Sequence, residues 1–502
     1  MTPAVIRWGG FAGSIATAAS AYLGGSGFVR VPSVNPISLL SGQRGVLLPI
    51  CWVLGTALLI AAWWWGRHVL PSTRWALVTA GLWLVPVLPF LPLGSADVYS
   101  YACQGYVQHA GGDPYATGVQ EFGCPWLGSV ASSWRDSPAP YGPLFLLLAA
   151  QVVGFAGDSL AGVIAGLRLV ALAGLALAAI GLPVLARRAG ADPAKAVWLV
   201  LACPLVLVHL VSGAHNDALM VGLIVAGLAL VASRRTPAWL AAGGVVLGLA
   251  VAVKATAVVV LPFAVLVAVA PQALLRPLQT PPQAPQTPPQ TPQTPLRAPQ
   301  APQTPLRAPQ VPLRALWRPI AAIGGGAALA TVVLSVLSGR GFGWVAGLLR
   351  SGDSVTWGSP STAVGLTVEF LTGVDAVPVT RAIGVVLLAV ILVVLWWRAR
   401  AGGALPGAGL ALAATVLCAP VFHPWYATWP LAVLAATGTG SRPAAESRWL
   451  LGLCAFAATL TLPAGYNWAL YTRIPGALVV TAALLVLAVR QARRLRHRKV
   501  FA

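Results

Sequence analysis

The chain has 502 residues, of which 58% are hydrophobic and only 9% are charged, and this composition excludes a water-soluble globular protein. Its net charge of +21 would suggest nucleic-acid binding in a soluble protein. Here the basic residues lie mainly in short loops between apolar runs and at the C-terminus, which is the positive-inside pattern of membrane proteins. We therefore predict contacts with the lipid bilayer and its anionic headgroups, and no nucleic-acid partner.

Apolar runs of about 15 to 25 residues recur along the chain, as membrane-spanning helices require. They lack the alternation of barrel strands, so helices are expected to cross the bilayer. The sequence thus predicts an all-α polytopic membrane protein with about 13 to 14 transmembrane helices. The first apolar segment has no clear cleavage site and is expected to be a retained helix rather than a signal peptide.

Residues 1–270 are predicted to form an N-terminal transmembrane region. A basic loop around Arg67 is expected in the cytoplasm, so the next span, near 75–93, runs outward. It leads to a polar loop, 94–143, on the external face. The following run, 144–157, is short for a span and is interpreted as a re-entrant or interfacial helix.

Residues 271–319 are rich in Pro, Gln and Thr and contain the repeat TPLRAPQ, a composition typical of polyproline II or disorder. Its arginines predict a cytoplasmic linker. Residues 320–502 are predicted to form a second transmembrane region with a basic cytoplasmic tail from Arg490 to Lys499. In this arrangement most basic clusters lie inside, whereas most acidic residues and polar motifs lie outside.

The external loop contains the candidate catalytic residue, Asp97. A carboxylate at the membrane boundary can take the proton of a hydroxyl nucleophile, and Tyr99 and Tyr101 follow it as candidate substrate-binding residues. The alternative is that Asp97 caps the helix that begins there. Asp113, in GGDPY, is a further candidate, although Gly-Gly-Asp-Pro is also typical of a turn. Tyr115 belongs to the same motif.

Ionisable residues also stand at the ends of later apolar runs. His215, Asn216 and Asp217 are consecutive, and such groups in a membrane chain indicate function, with helix capping as the alternative. Lys254 lies within an otherwise apolar run, where a phosphate would be a suitable partner, with snorkelling to the interface as the alternative.

Aromatic residues complete the predicted substrate-binding set. His423, Trp425 and Tyr426 follow one another in the motif HPWY, which is a candidate site or an interfacial aromatic belt. Tyr141 stands at the end of the external loop, in the motif PAPYGP, and is included with them.

Metal ligands and disulfides are weakly indicated. No cluster of His, Cys, Asp and Glu has the spacing of a metal site, and no cofactor is predicted, although Asp97 and Asp217 could together hold a divalent cation. Cys103 and Cys124 both lie in the external loop, where a disulfide between them would be permitted.

Five motifs together carry a family resemblance: SADVYSYACQGYVQHAGGDPY, SPAPYGPLF, SGAHNDALMVGL, AVKATAVVVLPF and FHPWYATWPL. They resemble the polyprenol-phosphate-mannose-dependent α-1,6-mannosyltransferases of actinobacterial cell envelopes, which belong to the GT-C class of membrane glycosyltransferases. The resemblance covers most of the chain outside 271–319. It implies a GT-C-like helical fold with a large first extracytoplasmic catalytic loop, in a multi-pass protein of the plasma membrane.

The resemblance also implies the reaction. The donor would be a β-linked mannosyl phosphate on a polyprenol, and the acceptor a growing α-1,6-mannan such as the backbone of lipomannan or lipoarabinomannan. An α-linked product then requires inversion in one displacement, with one base, which maps onto Asp97. Lys254 and His423 are candidates to meet the phosphate, and His215 and Asn216 to orient sugar or phosphate.

Two other functions stay open from the sequence. A related GT-C transferase could move arabinofuranose or glucose from a polyprenyl phosphate. A lipid-linked-sugar flippase or transporter would instead require polar residues at mid-membrane on several helices, and inverted repeats.

Overall fold

In the computed structural model, every regular element of the described residues is helical. The structure describes residues 1–23, 45–89, 91–269, 310–350, 355–437, 443–463 and 471–500. It confirms the predicted all-α polytopic membrane fold. Most of the predicted linker, residues 271–309, lies outside the described residues.

The helices follow one another along both halves of the chain. They are α1 Pro3–Leu23, α2 Leu47–Gly66, α3 Thr73–Leu84, α4 Asp97–His109, α5 Val119–Phe122, α6 Ser132–Arg135, α7 Pro143–Ala156, α8 Leu160–Ala189, α9 Pro193–Leu201, α10 Asp217–Ser233, α11 Pro237–Val253, α12 Leu261–Val269, α13 Gly325–Leu337, α14 Gly343–Arg350, α15 Pro360–Thr372, α16 Val377–Ala399, α17 Ala404–Cys418, α18 Thr428–Leu434, α19 Pro443–Thr459 and α20 Arg473–Val500.

The described residues include five helices that are long and apolar enough to cross a membrane. These are Leu47–Gly66, Leu160–Ala189, Leu313–Leu337, Val377–Ala399 and Arg473–Arg493. Six further apolar helices have only 10–17 residues. The expected number of about 13 to 14 spans also counted such shorter runs as spanning.

One apolar stretch of the N-terminal region, residues 193–212, is broken in the structure. Helix α9 and a π-helix, Val206–Ser212, meet at an angle of 65°. Pro204 lies between them, and proline cannot donate the hydrogen bond that would continue a helix. If this bent pair is one span, the described residues have up to six. The break matters because the π-helix leads directly to His215.

The external loop is anchored to helix α4. Cys103 and Cys124 form a disulfide, with their Cα atoms 5.6 Å apart, which realises the pairing that the sequence permits. Helix α7, which corresponds to the run 144–157, packs against α4 and has 14 residues. At 1.5 Å per residue it is about 21 Å long, shorter than the hydrocarbon core of a bilayer.

Helices α8 and α10 pack closely together in the N-terminal half. A Cβ atom at Gly222 would overlap the backbone carbonyl of Gly174 on the facing helix. Small residues at such a contact let two helix backbones approach, as is common in membrane proteins. This contact holds α10, which begins at Asp217, against α8.

The second half of the chain also contacts the external loop. Arg340 donates hydrogen bonds to the Gln108 side chain (3.3 Å) and to the Gly111 carbonyl (2.7 Å). The nearby helix α14 packs on the loop through Gly343, which lies against the ring of Tyr115. Both halves of the chain therefore hold the external loop.

Candidate functional site

Asp97 is the first residue of α4, and its carboxylate faces a cluster of polar side chains. Gly94 precedes it with φ +75°, and a Cβ atom there would clash with the ring of His209, so the chain needs glycine to turn at this point. The N-cap position of α4 is Ala96 and Asp97 is the first helical residue, so Asp97 does not hold the position that the capping alternative gives it. Its side chain is 14% exposed, so it is open to a ligand.

The surroundings of Asp97 favour a protonatable carboxylate. Burial raises the pKa of Asp97 to about 6, from an ordinary value of 3.8. Hydrogen bonding to Ser95 and the positive charge of Lys254 oppose this rise in part, while the charge of Asp217 adds to it. A general base with a pKa near neutrality can both accept and release a proton at physiological pH.

His215 lies between two carboxylates. Its Nδ1 atom is 3.9 Å from Oδ2 of Asp97 and 3.9 Å from Oδ2 of Asp217, and it is 3.1 Å from the Tyr101 hydroxyl. Only the contact with Tyr101 is short enough for a hydrogen bond. Burial lowers the pKa of His215 well below its ordinary value, with nearby charges adding to the effect, so the imidazole is neutral. It separates the two acids without neutralising either of them.

Asp217 is buried and ion-paired. Lys254 Nζ donates to its Oδ1 atom at 2.9 Å, and the indole Nε1 of Trp429 donates to the same oxygen at 2.7 Å. Lys254 stands in the break between α11 and the following 3₁₀-helix, with its ammonium 4.5 Å from the centre of the Tyr426 ring. The cation has therefore found a protein partner, and snorkelling does not describe it.

The rings of His215, Trp425 and His423 pack together along one side of the site. The rings of His423 and Trp425 are stacked at 4.5 Å, and the ring of His215 lies 4.0 Å from that of Trp425. Trp425 is 5% exposed, so it lies in the protein interior rather than in an interfacial belt. Burial lowers the pKa of His423 to about 3, helped by the charge of Lys254. His423 is therefore neutral and serves as a polar group rather than a cation.

Exposure separates the site residues into two groups. Asp97, Lys254, His423 and Tyr426 are at least partly accessible in the site. The others lie behind them and are fully or almost fully buried, namely Tyr101, His215, Asn216, Asp217, Trp425 and Trp429. In this conformation the first group is accessible from outside the protein, and the second group is not.

The remaining predicted residues occupy different places. The ring of Tyr141 packs edge-on against that of Tyr101, with centroids 5.1 Å apart, so Tyr141 belongs to the buried group behind the accessible site residues. Tyr99 is buried near Arg168, and its hydroxyl has no hydrogen-bond partner among the described residues. Asn216 takes the N-cap position of α10 without a side-chain capping bond, and its buried amide has no partner in the described part of the chain.

Two predicted residues serve the loop instead. The Asp113 carboxylate accepts a hydrogen bond from the backbone N–H of Tyr115 at 2.9 Å, as the turn alternative requires. Tyr115 packs in a small apolar cluster with Ala139, Leu146 and Trp344. The structure therefore places both residues in the framework of the external loop.

Three residues of the region escaped the sequence interpretation. His209 contacts the Trp425 ring at 4.9 Å and the Thr461 hydroxyl at 3.0 Å, Trp429 binds Asp217, and Arg168 lies behind the site. His209 and Arg168 are single ionisable residues within apolar runs, and that signal alone would have marked them.

The turn before His215 is strained. Ala214 has φ +49° and is the single non-glycine residue with positive φ in the described ranges. Such a conformation costs of order 1–3 kcal/mol and persists where the surrounding structure enforces it. It follows the π-helix, a type of element often found at functional sites.

The described residues contain no group of three His, Cys, Asp or Glu side chains placed to hold a metal ion. Asp97 and Asp217 both face His215, and Oδ1 of Asp217 is already bonded to Lys254 and Trp429. The donor set does not fit the divalent cation that the sequence left open, because an ammonium already lies against one of the two carboxylates.

Two protein-family models match the chain. Residues 7–270 match the model described as alpha-(1->6)-mannopyranosyltransferase, N-terminal domain. Residues 358–491 match the model described as MptB C-terminal domain. The two matched regions contain all the segments that form the site.

Similar curated proteins include two that are named alpha-(1->6)-mannopyranosyltransferase A. The chain is 34% identical to alpha-(1->6)-mannopyranosyltransferase A of Mycobacterium tuberculosis over 494 residues, which covers 91% of this chain and 85% of the relative. It is 29% identical to alpha-(1->6)-mannopyranosyltransferase A of Corynebacterium glutamicum over 470 residues, 88% of each chain. No solved structure matches the chain.

Proposed function

Because this chain belongs to the α-(1→6)-mannopyranosyltransferase family, we propose that it transfers mannose from a polyprenyl-phosphate-mannose donor to an α-1,6-mannan acceptor. The chain is a membrane mannosyltransferase. The acceptor is a lipoglycan backbone of the lipomannan or lipoarabinomannan type, and transfer proceeds with inversion. The observation that carries the proposal is the partly exposed Asp97 carboxylate, set beside a buried Lys254–Asp217 pair.

Asp97 is the catalytic base in this proposal. The 6-hydroxyl of the acceptor sugar gives its proton to a carboxylate oxygen of Asp97 as the hydroxyl oxygen attacks the anomeric carbon of the donor. The bond from that carbon to the phosphate oxygen breaks, and the polyprenyl phosphate leaves with the electron pair. Attack opposite the leaving group converts a β-linked donor into an α-linked product, so one base is sufficient.

The leaving phosphate requires positive or polar groups rather than an acid. Lys254 supplies a cation whose side chain is 11% exposed, and its bond to Asp217 holds the ammonium in place. His423, which is neutral, offers a ring nitrogen to the phosphate or the sugar. His215 acts from behind, through the Trp425 ring that stacks on His423. The Asn216 amide, which bonds no other group among the described residues, is the candidate to orient the sugar or the phosphate.

We place the site on the extracytoplasmic face of the plasma membrane, where the distribution of basic loops directs the segment after 75–93. In this arrangement residues 1–270 form the N-terminal transmembrane region with the catalytic loop 94–143. Residues 271–319 form a cytoplasmic linker, and 320–502 the second transmembrane region. The donor reaches the site from the bilayer, and the acceptor from outside.

The test of the proposal is a transfer assay with the purified full-length protein in lipid. Labelled polyprenyl-phosphate-mannose and a short α-1,6-mannoside are the substrates, and linkage analysis identifies the product. We expect acceptors extended by α-1,6-linked mannose. Parallel reactions with arabinofuranosyl and glucosyl donors test the related transferases. Absence of mannosyl transfer, where a known mannosyltransferase is active under the same conditions, would overturn the proposal.

The pH dependence of transfer is expected to report the ionisation of Asp97. Because the pKa of Asp97 is raised to about 6, kcat/KM should fall about tenfold per pH unit below pH 6 and level off above it. Glu121→Gln is the matched control, since Glu121 is an exposed acid of the same loop. Its profile should coincide with that of the wild type. A rate that stays constant down to pH 4 would exclude a base with this pKa.

A further inference from the structure

A buried arginine contacts both segments that lead to the site. Arg168, on α8, is 6% exposed. Its Nε and Nη2 atoms donate to the Ser212 carbonyl at 3.2 and 2.9 Å, and its Nη1 donates to the Leu88 carbonyl at 2.6 Å. Ser212 ends the π-helix that precedes His215, and Leu88 lies in the segment that leads to Asp97.

The place of this arginine is unusual. Helix α8 is one of the candidate membrane spans, where an ionised side chain is costly and is retained for a reason. In the part of the chain that the structure describes, the hydrogen bonds of Arg168 go to carbonyl oxygens rather than to a carboxylate. The guanidinium therefore binds the backbone of two separate segments, at Leu88 and at Ser212.

The chemistry of a helix end explains the contact. The last carbonyl groups of a helix have no partner within it and carry a partial negative charge, which a cation stabilises. The planar guanidinium donates from three separate nitrogens in fixed directions, whereas the three donors of an ammonium all lie on one nitrogen. Arg168 thus caps the π-helix at Ser212 from a neighbouring helix, and at the same time holds the segment at Leu88.

A second bond joins the same two segments. The Ser212 hydroxyl accepts a hydrogen bond from the backbone N–H of Leu93 at 3.1 Å. The strained residue Ala214 comes two positions after Ser212, directly before His215. The strained turn therefore follows Ser212, whose carbonyl binds Arg168 and whose hydroxyl binds Leu93.

We propose that Arg168 is a positioning residue, which sets the distance between Asp97 and the His215–Asp217 segment through the carbonyl groups of Leu88 and Ser212. The inference rests on the proposed function, because it concerns the geometry of the same transfer site. Arg168 touches no substrate. It acts by keeping the proposed base and the group that holds Lys254 in the placement that transfer requires.

The experiment compares Arg168→Lys with Arg188→Lys in the full-length protein. Arg188 is a matched control, because it lies on the same helix and also donates to a backbone carbonyl, that of Ser233, at 3.3 Å. A lysine at 168 keeps the charge but offers one nitrogen in place of the three that bind the two carbonyl groups. We expect Arg168→Lys to lower kcat for mannosyl transfer about 100-fold, with the donor KM changed less than about threefold. Arg188→Lys should change both values less than about threefold.

A second readout does not depend on activity. The backbone N–H groups of Gly213, Ala214 and His215 are bonded to carbonyl groups of the π-helix. We expect Arg168→Lys to raise their hydrogen-exchange rates about tenfold, and Arg188→Lys to leave them unchanged. If Arg168→Lys does not fold, Arg168→Gln takes its place, since an uncharged amide cannot reproduce the three bonds to the two carbonyl groups. It should lower kcat about 100-fold, with the donor KM changed less than about threefold.

Three results would overturn the inference while the wild type remains active. They are equal effects of the two arginine variants, a loss that appears in KM alone, and unchanged exchange at residues 213–215. A wild type that transfers no mannose would instead overturn the proposed function, and the exchange rates would still decide whether Arg168 holds the turn.

Discussion

Asp97→Asn is expected to lower kcat for mannosyl transfer by about three powers of ten, with the protein folded and inserted in the membrane. The amide keeps the shape of the side chain but cannot take the proton of the attacking hydroxyl. Asp97 is the acid that combines partial exposure with contact to the His215 cluster, so no neighbouring carboxylate is placed to replace it. Asp217, the other acid of the cluster, is 0% exposed and bonded to Lys254.

The measurement is single-turnover transfer from labelled polyprenyl-phosphate-mannose to a short α-1,6-mannoside. Glu121→Gln again provides the matched change from acid to amide at an exposed position of the same loop, and should keep the wild-type rate. Donor KM should change little in Asp97→Asn, because the group that is lost acts in the transition state. A variant that retains more than about a tenth of the wild-type rate would show that the base is another residue.

The second large effect is expected from the Lys254–Asp217 pair. Asp217→Asn leaves the Lys254 ammonium without its charged partner, and Lys254→Met likewise leaves the Asp217 carboxylate without its cation. Removing one member of a buried ion pair costs about 3–5 kcal/mol, because an uncompensated charge stays in the interior. We therefore expect either single variant to lower the free energy of unfolding by about that amount.

The double variant Asp217→Asn/Lys254→Met separates stability from catalysis. It leaves no unpaired charge, so it should recover most of the stability that each single variant loses. Its transfer rate should stay about 100-fold low, because the cation that faces the leaving phosphate is gone. Denaturant titration in detergent micelles measures the stability, and Lys195→Met serves as the lysine control, since Lys195 is partly exposed. Single variants that cost less than about 1 kcal/mol would mean that the pair behaves as a solvated one.

Much of this protein follows from its sequence alone. Membrane insertion depends on the summed hydropathy of each run, which is a local property, and the predicted all-helical membrane fold is found, although several of the apolar helices are short or broken. The same is true of the ionisable groups at the helix ends: Asp97 begins α4, Asp217 begins α10, and Lys254 follows α11. Such groups interrupt apolar runs, so their positions are visible without any tertiary structure.

The tertiary structure decided which of these groups meet. Lys254 and Asp217 are 37 positions apart, and Trp429 binds Asp217 from 212 positions away, so no sequence window contains both partners. The sequence suggested a phosphate for Lys254, and the folded structure adds a protein partner, Asp217, which the sequence did not indicate. Asp113 and Tyr115 were also candidates in the sequence, with a turn as the alternative for Asp113, and their turn packs into the framework of the loop.

His209 and Arg168 also show what the sequence indicates and what only the tertiary structure decides. Each is one polar residue in an apolar run, and the sequence contains no sign of what it binds. The hydropathy of a segment determines whether it enters the membrane. It does not depend on the neighbouring helices, so it does not specify which helix packs alongside. The partner of a buried polar group depends on helix packing, on breaks such as the one at Pro204, and on close approach at glycines such as Gly94. These contacts join distant parts of the chain, and only the folded structure determines them.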